Sequence, residues 1–308
     1  MLNLSKIESD HITLSLEHLI ADINNKNLTI EKLNIYIENI SDISDSYITS
    51  NEGIINRTII NILDFIRSLI SSTIWNAKNV FKGINKKSAL TVYELNKAIR
   101  INKILKLPYT KIYNVLVQNP PLEMLPLDNI KFIDDKYKKL NMIKISNMYL
   151  SYLTDFKAMI STESYKDVLD LKKSYKIDKK IGLTITKDIT KKITIKIDKI
   201  PFVKLFNSMD IFKSYYNMIK EKNSIYDELD TIYKNMNTTK NEINNITELV
   251  ENLQKISDVK KCILCLKYLI ETSKAIAEDY EAFGLIIKIY SQIEYNIIQI
   301  FNVLNMKL

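Results

Sequence analysis

Residues 225–253 read IYDELDTIYKNMNTTKNEINNITELVENL. Ile225, Leu229, Ile232, Met236, Thr239, Ile243, Ile246, Val250 and Leu253 recur at alternating spacings of four and three. That rhythm puts one apolar seam along a long helix, as in a coiled coil or the inner face of a helical bundle. Thr239 and the polar run Asn235–Asn245 soften the seam. An antiparallel hairpin within one chain and self-association along the seam are both open. Ile243 and Ile246, at its centre, are candidate interaction residues.

The composition extends the helical reading outward. The chain has 308 residues, with 46% hydrophobic and 26% charged, enough apolar content for a packed core. It has only four glycines and five prolines, too few for the tight turns of a sandwich or the phosphate loops of a Rossmann sheet. Heavy use of Ile, Asn, Lys and Tyr suggests an AT-rich genome. The formal charge is +8, from 44 basic and 36 acidic residues. Only Arg57, Arg67 and Arg100 are arginine, the residue best suited to reading bases and phosphates, so specific nucleic-acid recognition is not expected. No secretory signal and no transmembrane run are expected, and two cysteines fit a reducing site of synthesis.

Along the chain, residues 3–49 read as two helices. Residues 54–82 form the most apolar stretch, with Ile55, Ile59, Ile62, Leu63, Ile66, Leu69, Ile70 and Ile74 at helical spacing. Gly83 is a candidate C-cap there. Trp75, the only tryptophan, and Phe81 near its end are candidate interaction residues. Basic flanks and a tryptophan would also suit an interfacial membrane helix. Ser88 opens a further helix that stops before Pro108. Four of the five prolines fall between 108 and 126 around the β-prone IYNVLVQ (112–118), so an extended, proline-rich linker or belt is expected over 108–134.

Helix returns at 135–175. Residues 181–200, IGLTITKDITKKITIKIDKI, alternate apolar and polar and read as a β-hairpin. Lys187, Lys191, Lys192 and Lys196 form its polar face, a candidate dock for an acidic neighbour. From 205 onward the chain reads as helix, with the heptad-like stretch at 225–256 and Gly284 as a break. The expected fold is mostly α: an elongated multi-helix bundle with a short hairpin insertion and a proline-rich extended segment. It divides into an N-terminal helical region (1–107), the belt (108–134) and a C-terminal helical region (135–308).

Chemistry-bearing patterns are weak. His11 and His18 lie seven apart rather than at the i, i+4 of a helical zinc pair. Cys262-Ile-Leu-Cys265 sits in an apolar helical stretch and reads as core packing. Isolated glycines supply no nucleotide loop or nucleophile elbow. Asp134-Asp135 and Glu278-Asp279 read as solvated faces or helix ends. No catalytic, cofactor or metal residues are assigned, and an enzyme is not expected.

One stretch carries a family resemblance. From Gly53 to about Ile133, an apolar helix ends in Val80-Phe81-Lys82-Gly83 and is followed by Lys86-Lys87-Ser88 and a short polar helix. Next come Lys106-Leu107-Pro108-Tyr109-Thr110-Lys111, a β-prone segment and a proline-rich close. This order resembles uncharacterised virion structural proteins of large contractile-tailed bacteriophages. The resemblance implies a protein made in the host cytoplasm and built into the virion. It would contact other virion proteins, in the tail or baseplate first and the capsid interior or neck second. Self-association through 225–253 belongs to the same expectation. The alternatives are a membrane-active helical protein with a β-tongue and a sequence-independent nucleic-acid binder.

Overall fold

The computed structural model describes residues 52–96, 101–118, 123–161, 168–175, 180–193, 200–255 and 259–307, with the isolated positions 18, 22, 32, 35, 36 and 177. The fold is mostly α and consistent with a multi-helix bundle. In chain order the described elements are α1 (Glu52–Asn96), α2 (Ile101–Ile104), α3 (Tyr109–Gln118), β1 (Glu123–Met124), α4 (Leu127–Leu140) and α5 (Met142–Ser161). They continue with α6 (Val168–Tyr175), α7 (Ile181–Lys192), β2 (Ile200–Pro201), α8 (Phe202–Leu205), α9 (Met209–Lys255) and α10 (Val259–Lys307). The helices expected at 3–49 lie almost wholly outside the described residues.

The chain forms two compact units. Unit 1 comprises 1–74, 146–180 and 235–278; unit 2 comprises 75–145, 181–234 and 279–308. In unit 1, α1 buries Ile55, Ile59, Ile62, Leu63, Ile66, Ile70 and Ile74, the stripe its spacing calls for. Facing it, α9 buries Met236, Thr239, Ile243, Ile246 and Val250. Arg67 joins the two helices, donating to Thr247 Oγ1 at 2.9 Å and pairing with Glu251 at 3.1 Å. Asn235 donates to Ser146 Oγ at 2.9 Å, and Lys157 lies 3.5 Å from Glu242, so α5 runs along α9 in the same direction. α10 completes the core with buried Cys262, Cys265, Leu266, Leu269, Ile270 and Ile276. The Cys262 thiol rests on the Val250 carbonyl at 3.4 Å, so the chain reverses between α9 and α10.

In unit 2, an aromatic cluster ties short elements to long ones. Phe202 and Phe206 from α8 and its end meet Phe212 and Tyr215 of α9, with centroids 5.5–6.2 Å apart. Phe212 also meets Phe301 of α10 at 5.0 Å. Tyr109 of α3 stacks on Phe206 at 4.9 Å and donates its hydroxyl to the Phe206 carbonyl at 3.0 Å. Three tyrosine hydroxyls set the register of this unit. Tyr137 donates to Glu228 at 2.5 Å, Tyr290 to Asp134 at 2.5 Å, and Tyr215 to the Leu125 carbonyl at 2.8 Å. Asn141, at φ 40°, ends α4, and its side-chain oxygen accepts the Lys144 N–H at the start of α5.

Several expectations are corrected. The stretch 181–192 is helix α7, not one arm of a hairpin. Ile185, Ile189 and Ile193 are buried at i, i+4 and i+8, a spacing that is also even and so mimics strand alternation. The segment 112–118 is helical too, within α3. Pro108 ends the preceding stretch, as expected, but also begins α3, its carbonyl accepting the N–H groups of Lys111 and Ile112. The only strand pairing among the described residues is Glu123 with Pro201 and Met124 with Ile200, antiparallel. Gly83 does not cap and Ser88 does not start a helix, because α1 runs through both. Gly284 does not break α10 either. A lone helical glycine costs about 1 kcal/mol relative to alanine, which tertiary packing readily exceeds.

Two outcomes follow. A Cβ placed on Gly284 meets nothing within 4 Å, so Gly284→Ala should raise stability by about 0.5–1 kcal/mol in denaturant melts. A lower midpoint would mean the glycine is needed for something other than backbone geometry. Burial raises the phenolic pKa of Tyr137, Tyr215 and Tyr290; the Glu228 and Asp134 hydrogen bonds add to it at Tyr137 and Tyr290. The unfolded chain therefore releases these protons first. Their contribution is whole below about pH 10 and is lost as pH climbs beyond it. Part of the tyrosinate absorbance should then appear only late, in a cooperative step that coincides with loss of helix. Smooth titration of every tyrosine with helix intact would contradict this.

Candidate functional site: a lysine surface on two packed helices

Helix α7 begins in an unusual setting. Asp279 of α10 is 4% exposed, and its Oδ1 accepts the Gly182 N–H at 2.7 Å. Gly182 lies in the first turn of α7, where backbone N–H groups lack partners inside the helix and the dipole favours an anion. A carboxylate from another helix thus caps α7, and this is a physical reason why 181–192 folds as helix. Sequence spacing gave no sign of it: Asp279 stands 97 residues from Gly182, in a pair that resembles a solvated helix face. Asp134, also taken for solvated, is instead the acceptor for Tyr290.

So anchored, α7 packs its Gly182, Ile185 and Ile189 side inward and lies against α4. Lys136 of α4 pairs with Asp188 of α7. Both Lys136 and Lys192 hold their ammonium groups over the Phe132 ring, at 4.9 and 4.1 Å from its centre. The Lys136 hydrogen bond, followed by the charges of Lys136, Lys139 and Lys191, holds the Asp188 carboxyl below its ordinary range. Those lysines therefore surround a single carboxylate. Lys139, Lys187, Lys191 and Lys192 are exposed. On α4 the remaining acids are Asp128, which is 4.0 Å from Lys131, exposed Asp135, and Asp134.

The four lysines singled out by sequence are thus partly brought together, on a helix rather than a ribbon: Lys187, Lys191 and Lys192 share α7. Lys196 lies outside the described residues. Lys136, Lys139 and Phe132 join them from α4, a contribution visible only once the two helices pack. Trp75 is 64% exposed on α1. Phe81 lies on α1, its side chain outside the described residues. Ile243 and Ile246 are wholly buried in unit 1, so the chain itself covers the centre of the heptad seam. Leu229 and Ile232 are likewise buried in unit 2. The Cys262 and Cys265 thiols are both buried, in keeping with core packing. His18 is exposed, and His11 lies outside the described residues.

Among the described residues no helix is long and apolar enough to cross a membrane. Comparison with protein-family models, curated proteins and solved structures finds no match.

The Asp279 cap is directly testable. Asp279→Ala leaves the Gly182 N–H without this acceptor and should cost about 1.5–3 kcal/mol. Amide exchange over 181–192 should accelerate most. Uniform acceleration across unit 2, with no excess in α7, would assign Asp279 a packing role instead.

Proposed function

We propose that this chain is a structural component of a bacteriophage virion, acting through contacts with other virion proteins in the tail or baseplate. The resemblance that motivates this reading is one of sequence motifs from Gly53 to about Ile133, not of elements, since α1 runs through Gly83 and Ser88 and 112–118 is helical. The long-helix architecture is compatible with it. The observation that carries it is the division between what the fold uses and what it leaves outside. The described positions of the heptad seam are consumed internally, while the only tryptophan stands in solvent. Tryptophan is the side chain most enriched among residues that dominate protein interfaces. Leaving it exposed gains the isolated chain nothing from apolar burial.

A β-tongue at 181–200 has no support, since its first twelve residues are helix. Contacts are therefore assigned to outward faces, with Trp75 as the apolar anchor.

Mass spectrometry of density-purified particles from the source culture should find this chain at fixed stoichiometry. Trp75→Ala should keep its helix content and melting midpoint yet enter particles at least about tenfold less, the loss expected from about 1.4 kcal/mol of interface energy. Particles lacking the chain's peptides would end the virion reading; equal incorporation of the variant would end the role of Trp75.

A further inference from the structure

We infer that the lysine face of α7 and α4 binds the phosphate backbone of nucleic acid without regard to sequence. The inference comes from the geometry of unit 2 and is independent of the virion reading. Lys187 and Lys191 stand four residues apart, one helical turn, on the exposed side of α7. Like charges at that spacing repel, so folding alone gains nothing from them. Lys191 and Lys192 also lie in the last turn, where the dipole favours cations. That accounts for two positions and leaves Lys187 unexplained. Lys139 approaches from α4, close enough to act on the same Asp188 carboxylate as Lys136 and Lys191. Three lysines, Lys136, Lys139 and Lys191, therefore act on one aspartate, and Phe132 lies under the ammonium groups of Lys136 and Lys192.

The chemistry favours phosphate over an acidic protein. Stable protein interfaces draw on a desolvated apolar core, from which lysine is depleted. The outer side of α7 offers Thr184, Lys187, Thr190 and Lys191, with no large apolar anchor. A phosphate backbone requires none: neutralising phosphates releases condensed counterions, and lysines alone suffice. The same residues lack the means to read bases. No arginine lies on α4 or α7, and Phe132 sits beneath ammonium groups rather than open to stacking. The net charge of +8 draws a polyanion from a distance.

The test is fluorescence anisotropy of the full chain with a short DNA duplex of arbitrary sequence, at salt from about 50 to about 200 mM. Binding should weaken steeply with salt and be equal for two unrelated duplexes. The double variant Lys187→Glu/Lys191→Glu should lower the log–log salt slope by about 2. The control Lys106→Glu/Lys111→Glu changes net charge equally, at exposed positions on and before α3, and should change the slope by less than half as much. Circular dichroism checks that both variants stay folded. No duplex binding, or equal loss in both variants, overturns the proposal. Capture of polyglutamate but not duplex also overturns it and assigns the face to an acidic protein.

Discussion

A carboxylate withdrawn from water holds the helix that carries the lysine face in place. Asp279 is buried, and its Oδ1 accepts a backbone N–H at the start of α7. The arrangement works both ways. The helix start supplies donors and a positive dipole end for the anion, and the anion supplies the cap that the local sequence lacks. Packing of α7 on α4, the Lys136–Asp188 pair and the Phe132 platform all follow from where that helix begins.

A core so rich in isoleucine specifies burial without specifying register. Ile-on-Ile contacts change little when one helix slides along another, whereas a hydroxyl aimed at a particular carboxylate is lost at once. Tyr137–Glu228 and Tyr290–Asp134 in unit 2, and Arg67 with Thr247 and Glu251 in unit 1, are contacts of that kind. They are short, partly buried and made between helices distant in sequence. Their contribution to stability is modest beside apolar burial, since a typical net hydrogen bond gives about 1 kcal/mol. Their cost if broken is larger, and this asymmetry selects one alignment.

The sequence shows the fold where periodicity is unambiguous. The stripe from Ile55 to Ile74 and the seam from Leu229 to Val250 each repeat over many turns, and both are buried as their spacing requires. It misleads where a short segment satisfies two periods at once. Positions 185, 189 and 193 fit a strand as well as a helix, and the deciding partner, Asp279, is remote. Pro108 was legible as a stop but not as a start. The lysines of α7 were visible as a charged face, yet Lys136, Lys139 and Phe132 were not, because nothing local says that α4 lies alongside. Trp75 was recognisable as singular, although only its exposure shows which way it points.

That exposure gives the molecule an unusual optical character. The single indole is already solvated in the folded state, so its emission has little further to shift when the chain unfolds. The fold's integrity is written instead in its 18 tyrosines, many of them packed inside. Anything that settles over Trp75 strips water from the ring and moves its emission towards the blue. Tryptophan fluorescence in this protein is therefore nearly silent about folding and speaks mainly of contact.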